Sequence, residues 1–405
     1  MIEMKMQKKI GQRSLRIFLF LLILSFSSLL YAETVILKGE PSAGWDAFYT
    51  KGCIACHSVW GEGGKEGPEL GTVRGRRADI SVSALAAGMW NHAPIMLEHR
   101  ILKKAATESI SQKEMSDIFA FLVFMRSNIE IGNSSKGEKV FREKKCGECH
   151  TLRGKGGRIG PELTTWGRYS SPIAWASLML NHAAGMKSAM RDAGIRWPVF
   201  RGSEMVDLVA YVKEVAGSAE KEYLSPGSPS KGRSIFRKKG CANCHSIFGR
   251  GGGAGPDLSR RLIEKDAESS TISQLAGLMW NHAPQMIASG APIGRGSRGF
   301  TAEEMSDLMA YLFSLKYVEP RGNAYLGKKQ FEAKKCVICH TVGKKPESGK
   351  IKIPLPGREV SSIYMAWAMW NHGPQMRDKM KEKGISWPLM NADELRNIVE
   401  YLKKH

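Results

Sequence analysis

Every cysteine of this 405-residue chain lies in one of four Cys-x-x-Cys-His motifs: Cys53 to His57, Cys146 to His150, Cys241 to His245 and Cys336 to His340. The motifs recur at nearly equal intervals along the chain. Other uses of the thiols fit this pattern badly. Two cysteines separated by two residues and always followed by histidine make a poor loop staple. A zinc ribbon needs two such knuckles about 15 to 20 residues apart, and a thioredoxin-like pair needs a βαβ surround that the flanks lack.

The spacing is instead that of covalent c-type haem attachment. Each thiol pair (Cys53 and Cys56, Cys146 and Cys149, Cys241 and Cys244, Cys336 and Cys339) can add to the two vinyl groups of one haem. The adjoining His57, His150, His245 or His340 then reaches the iron as proximal ligand. Four motifs imply four haems.

The segment from Met1 to Ala32 has the pattern of a secretory signal, a basic start (Lys5, Lys8, Lys9, Arg13, Arg16) before an apolar run from Ile17 to Leu30. Cleavage after Ala32 is expected, and export to a periplasm suits haem attachment. The run is shorter than the roughly 20 residues that span a bilayer. Removing five basic residues and one acidic lowers the formal charge from +21 to +17. Such a field favours redox partners with acidic docking surfaces, or peripheral contact with an anionic membrane. Basic runs at 142–145 and 237–239 lie beside haem motifs and could steer that docking. Export and the lack of a nucleic-acid-binding motif exclude nucleic acid.

The rest of the chain repeats in register. A glycine stands nine residues before each first cysteine (Gly44, Gly137, Gly232, Gly327) and an aromatic five before it (Phe48, Phe141, Phe236, Phe331), the mark of an amphipathic helix with the aromatic in the core. Pro68, Pro161 and Pro256 follow His57, His150 and His245 at one fixed spacing. Their carbonyls are placed to take the Nδ1 proton of that histidine. Repeat 4 has a longer, lysine-rich loop with Pro354 or Pro356 instead. A last amphipathic helix closes each repeat, with capping boxes expected at Ser111–Glu114 and Thr301–Glu304. Boundaries fall in polar stretches, the clearest being an extended, poorly packed linker at 225–230. This gives domains at 33–133, 134–226, 227–320 and 321–405.

Between these elements each repeat carries an Asn-His segment with a methionine four residues beyond the histidine. Either side chain could be the sixth iron ligand: Met96, Met186, Met286 and Met376, or His92, His182, His282 and His372. Pro94, Pro284 and Pro374 are expected to end the helix just after the histidine, which leaves the methionine in a loop and favours it as the ligand. His99 is a second candidate in repeat 1.

In this order of helix, Cys-x-x-Cys-His, Gly-Pro, loop methionine and terminal helix, each repeat resembles a class I c-type cytochrome domain. The resemblance covers residues 40 to 405 and implies an all-α fold of four tandem domains, each wrapped around one covalent haem c, with the motif histidine proximal and the later methionine distal. The Asn-His-Ala-Pro segment is not part of that family's pattern. The expected function is single-electron transfer between periplasmic or membrane-associated redox partners, with no small-molecule substrate and no catalytic residues. The alternative, a multihaem peroxidase or nitrite reductase, needs an open sixth site.

Overall fold

The computed structural model describes residues 39–59, 61–71, 81–102, 109–127, 132–168, 172–217, 226–263, 271–291, 293, 299–315, 320–343, 349–355 and 360–405. The expected signal at 1–32 and Pro356 lie outside these residues, as does the side chain of His99. Among the described residues no helix is long and apolar enough to cross a membrane.

The repeats share three helices and a short turn of strand, to which repeat 2 adds a 3-10 helix at Leu163–Arg168 and repeat 3 a short helix at Leu258–Ile263. A lead helix (Pro41–Thr50, Ser134–Glu143, Pro229–Lys238, Ala324–Ala333) enters the haem motif. A long helix (Val82–Leu102, Pro172–Asp192, Ile272–Ala288, Ser362–Glu382) carries the Asn-His segment, and a terminal helix (Gln112–Ser127, Glu204–Ala216, Ala302–Ser314, Ala392–Lys403) closes the unit. In repeats 1 to 3 the motif runs into a two-residue antiparallel hairpin, whereas in repeat 4 His340–Thr341 pairs in parallel with Ile351–Lys352.

The lead helix crosses the terminal helix where the sequence places its glycine. A Cβ on Gly44, Gly137, Gly232 or Gly327 would meet the carbonyl oxygen of Asp117, Asp207, Asp307 or Asn397 at 1.9 Å. Only glycine permits backbones so close. The side chains of those four residues accept a hydrogen bond from the N-terminal backbone of the lead helix, at Glu40, Asn133, Ser228 and Asn323. The expected aromatics pack beside the crossing: Phe48, Phe236 and Phe331 are buried, and each lies against a ring of the terminal helix. Both expected capping boxes form.

The expected linker at 225–230 is corrected in its described part. Gly227 and Ser228 are buried, Ser228 caps the lead helix of repeat 3, and Pro229 opens that helix. A capping serine followed by proline at the first helical position starts a helix.

The repeats pair out of sequence order, 1 with 4 and 2 with 3. The long helix of each repeat lies along that of its partner and reaches the partner's terminal helix. At each contact the amide of the Asn-His asparagine grips the backbone N–H and C=O of one residue in the segment leading into the partner's terminal helix. Asn281 holds Phe200 at 2.8 and 2.7 Å and Asn181 holds Phe300 at 2.7 Å in both bonds. Asn91 holds Met390 and Asn371 holds Ile110 in the same way. Two indole pairs reinforce the joints, Trp90 on Trp387 and Trp197 on Trp280, with ring centres 4.2 and 4.1 Å apart.

Candidate haem-binding site

Each Cys-x-x-Cys folds as a single 3-10 turn entered through a left-handed residue: Gly52, Lys145, Gly240 or Lys335. The turn brings the backbone of the histidine back onto the first cysteine, His57 N donating to Cys53 O at 2.9 Å, with equivalents in repeats 2 and 3. All eight cysteines are half-buried and none forms a disulfide. Burial pushes the Cys146, Cys241 and Cys336 thiols up to about 11, so they stay protonated near neutral pH. Thiols held protonated are poor ligands for a bare metal ion. Among the described residues no cluster of three His, Cys, Asp or Glu side chains could hold a bare metal ion.

The motif histidines are oriented as the sequence suggests in the first three repeats. His57, His150 and His245 place Nδ1 at 2.9, 2.9 and 3.0 Å from the carbonyls of Pro68, Pro161 and Pro256. A carbonyl only accepts, so Nδ1 carries the proton and Nε2 keeps its lone pair for a metal. The glycine before each proline is required because the ring lies against it: a Cβ on Gly67, Gly160 or Gly255 would come within 2.4 to 2.6 Å of the imidazole. Glu162 after Pro161 ties the hairpin back through Arg153 N and Thr164. Hydrogen bonds from Thr151 and Thr164 hold its carboxyl at about 2.

Repeat 4 differs. His340 Nδ1 is buried and has no hydrogen-bond partner among the described residues, and the Pro354 carbonyl accepts from the Tyr364 hydroxyl instead. Burial and the neighbouring His372 lower the His340 pKa, while the Ile351 backbone pulls the other way without reaching hydrogen-bond geometry.

The long helices overturn one expectation. Pro94, Pro284 and Pro374 sit inside helices that continue past them to Leu102, Ala288 and Glu382, so the methionines are helical and not in a loop. Proline leaves the carbonyl four residues earlier without its helical donor, which normally costs about 3 kcal/mol together with the steric clash. Here the orphaned oxygens of Trp90 and Trp280 accept from the indole nitrogens of Trp387 and Trp197 in the paired repeat, at 3.0 and 3.2 Å. The inter-repeat joint supplies the missing donor.

Because the helix continues, histidine and methionine lie one turn apart on the same face. His92, His182 and His372 each direct Nδ1 to the carbonyl four residues back, at 2.8, 2.8 and 2.6 Å, and leave Nε2 unengaged by that bond. The motif and long-helix histidine rings approach each other nearly edge-on: His150 and His182 are 6.1 Å apart between ring centres, His245 and His282 5.9 Å, and His340 and His372 6.1 Å. With a metal-to-imidazole bond of about 2.0 Å and a ring centre about 1.1 Å further on, two imidazoles on one iron would stand roughly 6 Å apart. Burial, above all, lowers the pKa of His182 and His282, which favours the neutral imidazole that binds metal. In repeat 2 a cavity of about 230 Å³ is lined by Cys146, Cys149, His150, His182, Met186 and Met190. Met186 therefore shares the site with His182, one turn further along. The residues fit a haem joined to two thiols and held between two histidines.

The cytochrome c family profile matches residues 42–125, 134–216 and 229–316. This chain belongs to the cytochrome c family. The match stops short of repeat 4, whose motif is intact but whose Gly-Pro loop is replaced. The cytochrome is 31% identical over 106 residues to cytochrome c oxidase subunit 2 of Alkalihalophilus pseudofirmus, an alignment of 25% of this chain and 30% of that protein. It thus spans under a third of that relative's length. No solved structure matches.

Two repeated features of this cytochrome have a use that the sequence reading did not give. One is the asparagine beside the distal histidine, which makes the inter-repeat clamp. The other is a lysine two residues before each first cysteine. Lys51, Lys144, Lys239 and Lys334 reach the carbonyls of Ser109, Val199, Gly299 and Leu389 and pair with Glu114, Glu204, Glu304 and Glu394 at 2.7 to 3.3 Å. These bonds latch the haem motif to the start of the terminal helix. Lys144 and Lys239 are thereby removed from the basic runs expected to steer docking. Arg142, Lys145, Arg237 and Lys238 remain exposed.

Proposed function

We propose that the chain is a tetrahaem c-type cytochrome that carries single electrons, each iron held between the motif histidine and the long-helix histidine: His57 with His92, His150 with His182, His245 with His282, His340 with His372. The observation that carries this is the edge-on approach of two histidine rings to about 6 Å beside two half-buried thiols in repeats 2 to 4. The haem supplies a one-electron iron couple. The motif and long-helix histidines would hold the iron, each oriented by a backbone carbonyl wherever the Nδ1 bond forms, and would leave no open position for a substrate. That arrangement favours a carrier over a peroxidase or reductase. The likeness to an oxidase subunit is about one domain long and supports electron transfer alone.

Met186 in the same cavity favours a second ligation, His150 with Met186, and by analogy His57 with Met96, His245 with Met286 and His340 with Met376. Near-infrared magnetic circular dichroism of the haem-loaded protein distinguishes the two. Bis-histidine iron lacks the methionine-to-iron(III) charge-transfer band, and that band at all four sites would return the ligand role to the methionines. Export to the periplasm with the leader removed after Ala32, and docking of acidic partner proteins or an anionic membrane through the basic surface, complete the proposal.

A further inference from the structure

The spatial order of the repeats differs from their order in the chain. Repeat 4 is clamped to repeat 1 and repeat 3 to repeat 2 by the asparagine and tryptophan contacts. The terminal helices show how the two pairs meet. In repeat 4 the helix buries only Leu395, Ile398, Val399 and Leu402, a single stripe against its own repeat and partner. In repeat 1 seven consecutive residues, Phe119 to Met125, are all buried, and in repeat 3 the run from Leu308 to Leu315 is buried at all but one position. Helices apolar on every side are covered on every side. The second cover is mutual: Ala120, Val123 and Phe124 of repeat 1 line one small cavity with Pro229, Ala310 and Phe313 of repeat 3. Repeats 1 and 3 are therefore central, and repeats 2 and 4 are the ends.

Within each pair the two haem sites are joined by a continuous path. Lys144, two residues before Cys146, holds the Val199 carbonyl at 2.6 Å, and the next residue, Phe200, is held by Asn281, the neighbour of His282. The reverse path runs from Cys241 through Lys239, Gly299 and Phe300 to Asn181, beside His182. The same pattern links repeats 1 and 4.

We infer that electrons pass between the haems in the order 2, 3, 1, 4, or its reverse, and not in sequence order. This rests on haem loading of all four motifs. Tunnelling falls steeply with distance, so the packed neighbour receives the electron in preference to the next repeat along the chain.

The test uses the full haem-loaded chain, fixed through its C-terminal end to a spacer-coated electrode so that repeat 4 faces the metal, with voltammetric charge counting the connected haems. Two variants, C53A/C56A and C146A/C149A, each lack one haem, which intact mass verifies. Without the repeat 1 haem, only the haem of repeat 4 should exchange; without the repeat 2 haem, all three that remain should. A sequence-order wire gives the opposite: the repeat 1 variant keeps three connected haems and the repeat 2 variant only two, and that result overturns the inference. Lysine cross-linking of the unmutated protein gives an independent check if either variant misfolds. Links joining repeats 1 with 4 and 2 with 3 are expected, and links confined to sequence neighbours contradict it. Failure of the carrier reading itself would appear differently, as no exchange by the unmutated protein.

Discussion

In repeat 3 the motif histidine gives its Nδ1 proton to Pro256, and Gly255 makes room for the ring. In repeat 4 His340 has no such partner among the described residues, and the nearby Pro354 carbonyl is occupied by Tyr364. Yet the distal sides match: His282 and His372 stand at nearly the same distance from their motif histidines, and Asn281 and Asn371 make the same clamp. The distal wall is thus set by the pairing of repeats, which all four share. The proximal support is set locally by the Gly-Pro loop, which repeat 4 has lost, and the family profile fails at that repeat.

The largest effect should come from the long-helix histidines, the proposed distal ligands. His282→Ala and His372→Ala are each expected to turn one haem from low-spin to high-spin, seen by absorption and electron paramagnetic resonance, while Met286→Leu leaves all sites low-spin. A response in one repeat but not the other would break the equivalence of the distal walls. Gly255→Ala should act next, because its Cβ would press on the His245 ring at 2.6 Å. Overpacking of this kind costs about 1–3 kcal/mol, measured as a fall in unfolding midpoint of the holoprotein. Repeat 4 has no corresponding position.

Asn281→Ala and Asn371→Ala should each destabilise by about 1–3 kcal/mol, since each strands a backbone N–H and C=O in a packed joint. Chemical denaturation measures this, and the two variants should agree. The potentials sharpen the proximal contrast. A hydrogen-bonded Nδ1 makes imidazole a stronger donor and favours iron(III), so repeat 4 should hold the highest-potential haem. In a spectroelectrochemical titration, C336A/C339A should remove the highest-potential component.

The smallest effect is acid sensitivity in the loop that repeat 4 lacks. Glu162 has its pKa lowered from 4.5 to about 2 in the folded chain by hydrogen bonds from Thr151 and Thr164. A depressed folded pKa adds stability above 4.5 that is lost as the pH falls toward 2. Glu162→Gln should flatten the stability profile across that window, with little change at pH 7.

Much of the haem side was legible in the chain because it is local. The cysteines, the motif histidine and the Pro68, Pro161 and Pro256 carbonyls fall within one short stretch of each repeat, and short spacings fix short-range geometry. The glycine at Gly44 and its equivalents was visible, but its reason, a backbone crossing at Asp117, lies on the terminal helix at the far end of repeat 1. The prolines misled for the same cause. Pro94 should stop a helix, and the donor that lets the helix continue is Trp387, in the last repeat of the chain. The asparagine recurred in all four repeats without revealing its use, because the backbone it clamps is always in the paired repeat.

The most direct measurement is the intact mass, under denaturing conditions, of the full chain produced in a host able to mature c-type cytochromes. The expected result is a polypeptide carrying four covalent haems, repeat 4 included. A mass with three, and with Cys336 and Cys339 unmodified, would contradict the assignment of repeat 4 as a haem site.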